Sequence, residues 1–171
     1  MDMAIRFQKI LITTALFISV FYSLSCERPT ILEDEDLINS LYERANDTLA
    51  FKSSEYILET VLYRNFMPGG PIPKNRPLIT LLYLTNIDSL DISEDLKLDK
   101  VYVINGNLIF KSTPEYLDDI SLPNYKQSYI SRDGPEWETE ILVDVVVKIT
   151  NQTTNEISYL VARDQKIEKV W

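Results

Sequence analysis

The stretch from residue 140 to 150 alternates between apolar and polar side chains, and it constrains the fold more than any other segment. Five β-branched residues recur at every second position: Ile141, Val143, Val145, Val147 and Ile149. Because successive side chains of a strand point to opposite faces, the pattern predicts a strand with one buried face, and Leu142 and Val146 are the exceptions. Turn-forming residues 151–155 and a second alternation at residues 157–161 complete a predicted β-hairpin.

Three further segments are typical of strands. Apolar residues on both sides of Asn105-Gly106, a pair that tolerates positive φ, predict a hairpin with a two-residue type I′ turn. Residues 78–84 are apolar at nearly every position, which predicts a central strand covered on both faces. Residues 56–66 fit either a helix or a strand, and the strand character of their neighbours favours a strand.

The spacing of these segments predicts the fold class. Residues 126–131 and 166–170 add two short strands, and residues 132–135 have the composition of a turn. About seven to eight strands within residues 48–171 predict a mainly β domain, specifically an antiparallel immunoglobulin-like β-sandwich. A small β-barrel is the alternative.

The N-terminal segment has the features of an export signal. Arg6 and Lys9 precede an apolar run at residues 10–24, which ends at Ser25-Cys26, and Cys26 is the only cysteine of the chain. The run is shorter than the ~20 apolar residues of a membrane-spanning helix. A permanent transmembrane anchor and simple cleavage without lipid remain the alternatives.

The tail Ser23-Leu24-Ser25-Cys26 resembles the lipobox of bacterial lipoproteins, although the leucine stands one residue nearer the cysteine than in that family. The resemblance implies that residues 1–25 are a signal peptide and that Cys26 is acylated. It places the protein in the cell envelope, bound to the lipid bilayer, at the outer membrane or the periplasmic face rather than in the cytoplasm.

The following region, residues 26–47, looks like a tether. It holds an acidic run at residues 33–36, after which apolar residues recur at helical spacing up to Ala45. A short helix and a solvated spacer are both compatible with this pattern.

The segments 63–70, 132–137 and 143–148 resemble those of uncharacterised bacterial lipoproteins with an all-β, immunoglobulin-like domain. No activity is attached to that group. The resemblance therefore implies a fold and a location but no reaction.

Composition excludes several classes of function. The net charge is −9, and removal of residues 1–25, which carry one net positive charge, leaves −10; such a chain is repelled by nucleic acid. The chain has no histidine, which removes Ser-His and Cys-His catalysis and the commonest zinc ligand. We expect no cofactor and no metal, because the acidic cluster at residues 88–95 lacks the pattern of a calcium loop and favours a solvated turn.

Aromatic residues near the predicted turns are the candidate contacts. Trp137, Tyr116, Tyr125 and Arg76 are candidate binding residues, although each aromatic also fits a position in or beside the core. For Trp171 we expect a core position.

These observations predict a non-catalytic binding or assembly module rather than an enzyme. The expected contact surfaces are residues 67–76, 113–125 and 133–137, and the expected partner is a protein or glycan of the cell envelope. Two alternatives remain: a carboxylate-pair glycoside hydrolase, which needs no histidine, and an inhibitor-like module that presents the Pro-rich loop at residues 67–77.

Overall fold

The structure is a computed structural model that describes residues 29–68 and 76–171. The predicted signal peptide, Cys26 and most of the Pro-rich loop lie outside the described residues. The described residues form one helix, α1 (Glu35–Arg44), and eleven strands. The strands are β1 (Thr30–Glu33), β2 (Ala45–Asn46), β3 (Leu49–Phe51), β4 (Ser54–Asn65), β5 (Leu78–Asn86), β6 (Leu96–Asn105), β7 (Leu108–Ser112), β8 (Glu115–Leu117), β9 (Lys126–Gly134), β10 (Leu142–Asn151) and β11 (Ile157–Val170).

All eleven strands belong to one curled sheet. Nine follow the order β1-β7-β6-β10-β11-β4-β5-β9-β8, while β2 pairs with β11 and β3 pairs with β4. The prediction of a mainly β chain is confirmed. The sheet is mixed rather than purely antiparallel, because β11 runs parallel to both β4 and β2.

The length of β11 explains the mixed sheet. Its first part pairs with β10, and its last four residues, from Ile167 to Val170, continue beside β4. A strand shared by two halves of a sheet lets the sheet fold over on itself. The sequence shows residues 157–161 and 166–170 as separate strands, and so it conceals the element that joins the halves.

The main core lies between the inward faces of the two halves. Val145 and Val147 of the predicted hairpin are fully buried, and they share this core with Leu62 and Leu82 of the other half. The hairpin prediction is confirmed by the pairing of β10 with β11. The strand interpretation of residues 56–66 is also confirmed, since β4 buries alternate side chains.

Helix α1 covers part of the outer face. Asp34 caps it by accepting a hydrogen bond from the Leu37 amide (2.9 Å), and Ile38 and Leu41 are buried in a second apolar cluster. Val146 belongs to this cluster, which explains why it interrupts the polar face of its strand. Of the two predictions for the tether region, a short helix and a solvated spacer, the structure contains the helix. At ten residues, the one helix of the described ranges is too short and too polar to cross a bilayer.

Two turns differ from the sequence prediction. The turn between β6 and β7 consists of Gly106 and Asn107, because Asn105 still pairs with Leu108. Positive φ at Gly106 alone is the pattern of a type II′ turn, not type I′. Residues 132–134, predicted as a turn, extend β9 through an irregularity at Asp133, whose φ is +60°.

Candidate functional site

Two surfaces of opposite character lie at the two ends of β5. The strand has nine residues, so its ends are about 30 Å apart. At its start, β4 and β11 end and β9 reaches Gly134. At its end, loops 87–95 and 118–125 meet.

The first surface grows out of two parallel rows of side chains. On the core side, β4 presents Leu62, Arg64 and then Phe66, while β11 presents Ile167, Lys169 and then Trp171. Parallel register pairs these rows position by position, so each layer contains one residue from each strand. A buried aliphatic layer is therefore followed by a cationic layer and then by an aromatic layer.

The aromatic and cationic layers are in contact. The rings of Phe66 and Trp171 are 6.1 Å apart, and the Lys169 ammonium lies 3.9 Å from the Trp171 ring centroid and 4.8 Å from that of Phe66. The guanidinium groups of Arg76 and Arg64 lie 4.5 and 5.5 Å from the Phe66 centroid. Each contact is attractive because the ring face is electron-rich. We call these five residues the aromatic–cation cluster.

Arg64 holds the cluster in place. Its side chain is nearly buried, and it donates hydrogen bonds to the backbone carbonyls of Arg76 (2.7 Å), Trp137 (2.7 Å) and Glu136 (3.1 Å). A further bond of 3.2 Å reaches the Glu136 carboxylate. Arg64 thus fixes two chain segments against the end of β4, and its charge is neutralised by Glu136.

The other two cations of the cluster are not neutralised in this way. Within the described ranges, no carboxylate forms an ion pair with Arg76 or Lys169. Trp171 is 71% exposed. In a chain of net charge −9, this end therefore combines a local positive excess with exposed aromatic surface.

The second surface consists of the two loops at the far end of β5. The Asn86 amide donates to the Tyr125 carbonyl (2.9 Å), and the Ile92 amide donates to the Asn124 carbonyl (3.1 Å), which joins the loops. Three aliphatic side chains on these loops are exposed to solvent: Ile87, Leu90 and Ile120, the last at 96%.

Carboxylates surround these aliphatic residues. No ion pair within the described ranges involves Asp88, Asp91, Glu94 or Asp118. Asp95 is different, since its carboxylate accepts bonds from Lys52 (2.7 Å) and Thr153 (2.7 Å) that lower its pKa. We call loops 87–95 and 118–125 the acidic loop surface.

A cleft of about 410 Å³ opens between the end of β7 and β9. Ser112 and Ser131 are hydrogen-bonded through their hydroxyls at its lining, and Arg132 and Glu115 form an ion pair of 2.9 Å there. Pro29, the first described residue, also lines it. The cleft therefore lies where the described part of the chain begins, close to Asp133 at the end of β9.

The carboxylates with shifted pKa values give no support to glycosidase chemistry. Burial raises the pKa of Glu59, but hydrogen bonds from Lys126 and Thr85 outweigh it and the net shift is downward. Hydrogen bonds from Ser121 lower the pKa of Asp119. A general acid needs a raised pKa, whereas these groups are held ionised. Among residues 29–68 and 76–171, no cluster of acidic or sulfur side chains is arranged to hold a metal ion.

The four predicted binding residues do not form one site. Arg76 belongs to the aromatic–cation cluster, and Trp137 is joined to it through its backbone, although its half-buried ring packs on the main core. Tyr125 lies at the opposite end of β5, within the acidic loop surface. Tyr116 is exposed on β8, where it packs edge-on against Tyr129.

Most of the cluster is not predicted by the sequence. The expected core position for Trp171 is wrong, because this residue follows the last paired position of β11 and extends past Ile167, where the core ends. Arg64 carried a usable signal, since it shares the inward phase of β4 with Leu62. A charged residue in a buried phase indicates a side chain satisfied by internal partners.

The chain matches no protein-family model, no curated protein and no solved structure. What it does must follow from its own surfaces.

Proposed function

We propose that the protein is a cell-envelope lipoprotein whose β-domain acts as a non-catalytic binding or assembly module. In this proposal residues 1–25 are a signal peptide, and an acylated Cys26 holds the protein at the outer membrane or the periplasmic face. Each buried methylene contributes about 0.8 kcal/mol, so two or more acyl chains make a durable anchor. The curled sheet serves as a sandwich-like scaffold of two layers around one core.

The acidic loop surface is the proposed contact with the partner. The observation that carries this proposal is the exposure of Ile87, Leu90 and Ile120 on loops whose carboxylates, apart from Asp95, form no ion pair within the described ranges. Exposed apolar groups that lie together on a protein surface mark interaction sites, and complementary charge steers the encounter. A partner with basic and apolar groups fits this surface. Aliphatic contacts favour an envelope protein over a glycan, because sugar rings stack on aromatic faces.

Partner capture from envelope extracts tests the proposal. The full-length protein in detergent should enrich one basic envelope protein, and Leu90→Asp combined with Ile120→Asp should abolish the enrichment. Leu142→Asp is the matched control, because Leu142 is equally exposed but lies at the other end of β10 from these loops. Equal capture by all variants would reject the acidic loop surface as the contact.

The anchor is tested separately. Cys26→Ala should move the protein from the membrane pellet to the soluble fraction, and a Cys26 variant that stays in the pellet would contradict lipidation. Turnover of a glycan by the wild-type protein would instead support the glycosidase alternative.

A further inference from the structure

We infer that the aromatic–cation cluster rests on the anionic headgroups of the bilayer that holds Cys26, and so fixes the orientation of the domain. This inference depends on the lipid anchor proposed above. It assigns the aromatic–cation cluster a different partner from that of the acidic loop surface.

The aromatic–cation cluster lies near the point where the described chain begins. Pro29 lines the cleft beside Asp133, and the strand order from there runs from β9 through β5 and β4 to β11. Three strand spacings of ~4.8 Å place the end of β11 about 14 Å from the end of β9. Cys26 precedes Pro29 by three residues, which span at most about 10 Å. The cluster therefore lies at the end of the domain that a short anchor brings to the bilayer.

The charge of the domain favours contact with an anionic surface through this cluster. A domain of net charge about −10 is repelled by an anionic surface unless it turns a positive region towards it. Arg76 and Lys169 supply such a region, since no carboxylate within the described ranges pairs with them. Glu168 precedes Lys169 but points to the opposite side of β11, and Glu136 is occupied by Arg64.

The exposed groups of the cluster are of the types found at membrane–water interfaces. Tryptophan is enriched at membrane–water interfaces, where its ring lies at headgroup depth, and lysine and arginine bind the phosphates beside it. Trp171 and Met67 are both more than half exposed, and the Trp171 ring lies beside the Lys169 ammonium. An aromatic ring beside cations is the composition that such an interface selects.

Tryptophan fluorescence of the acylated protein in vesicles tests the inference. Vesicles of phosphatidylglycerol and phosphatidylcholine, with brominated acyl chains, should quench Trp171 and shift its emission to the blue. Pure phosphatidylcholine should do neither. A Trp171→Phe protein supplies the signal of Trp137, which packs on the core.

Charge-matched variants identify the cause. Each basic residue near an anionic surface strengthens association about fivefold, so Arg76→Gln with Lys169→Gln should weaken docking about 30-fold. Lys97→Gln with Lys148→Gln, which removes the same charge from β6 and β10, should leave the quenching unchanged.

The outcomes separate the two proposals. If the acylated protein is on the vesicles but Trp171 is not quenched, docking is overturned and the anchor stands. This result is also the one expected if the cluster binds an acidic protein instead of the bilayer. Equal quenching in neutral vesicles, or equal loss in both double variants, overturns the charged contact. A mass that shows unmodified Cys26, with protein absent from the vesicles, overturns both.

Discussion

The surfaces at the two ends of β5 are held in place in different ways. At the start of the strand, side chains from paired strands continue beyond the core in register, and the nearly buried Arg64 ties them to neighbouring backbone. At its end, backbone hydrogen bonds join two loops, and the side chains project into solvent. The first end is therefore rigid and cationic, and the second is acidic and dominated by loops. A surface whose side chains are aligned by strand register should be sensitive to the replacement of a few of them. A surface of loops that are joined by backbone hydrogen bonds should tolerate the replacement of its side chains.

Replacement of Arg64 should have the largest effect on this contrast. Arg64→Met removes three bonds to carbonyl groups and leaves those carbonyls and Glu136 without their partner. We expect a loss of about 3 kcal/mol in the free energy of unfolding, measured by urea denaturation. Lys169→Met, in the same layer but exposed, should cost no more than about 1 kcal/mol. Equal losses would show that Arg64 is not the residue that holds this end together.

A matched pair of asparagines compares the two electrostatic environments. Asn65 ends β4 and Asn86 ends β5, and each side-chain oxygen accepts a bond from the amide two residues later. Asn86→Asp buries a carboxylate beside an acidic surface, which should cost about 2 kcal/mol at pH 7.

The pH dependence of the Asn86 variant has a definite sign. Burial raises the pKa of the new carboxyl group, so the loss of stability is present above that pKa and disappears as the pH falls and the group is protonated. Asn65→Asp, exposed next to Arg64, should change stability by less than about 0.5 kcal/mol at either pH. A larger loss for Asn65→Asp than for Asn86→Asp would reverse the assigned environments.

Acid should loosen the far end first, with the smallest effect of the three. The Asp95 bonds from Lys52 and Thr153 lower its pKa, so they stabilise the fold above the ordinary aspartate value and are lost as the pH falls through the lowered value. At the end of β4, three of the acceptors of Arg64 are backbone carbonyls, which do not titrate. Protection from amide hydrogen exchange, relative to the intrinsic rate at each pH, should therefore fall around residues 93–95 and 151–155 between pH 6 and pH 2.5 before it falls at the end of β4. Loss of protection at the end of β4 first would contradict this order.

The parts of the fold that sequence could predict are local. Alternation in β10 and the apolar residues around Gly106 involve neighbours in the chain, and both hairpins formed as predicted apart from a one-residue shift of one turn. The parallel pairing of β4 with β11 joins segments about a hundred residues apart, and no pattern within either strand reveals it. The mixed sheet was therefore not predictable from strand rhythm.

The same limit applies to the candidate surfaces. The sequence singles out Arg76 in its loop, but its contact with Phe66, which also contacts Lys169, exists because β5 begins where β4 and β11 end. Val146 appeared as an exception to strand alternation because the helix that covers it lies far away in the sequence. The alternation of side chains in β4 places Arg64 on the inward side, so the sequence can identify it as an internal residue. Its partners become known only from the order and direction of the strands.

The orientation of the two ends relative to a membrane is the most direct test. Cys26 is the only cysteine, so its acylation leaves single introduced cysteines free for spin labels. With labels at Met67→Cys and Leu90→Cys in the vesicle-bound protein, power saturation should show the first near lipid and the second fully accessible to a water-soluble relaxation agent. Equal accessibility of both labels, or a lipid-facing label at residue 90, would contradict the assignment of the cationic end to the bilayer and the acidic end to the partner.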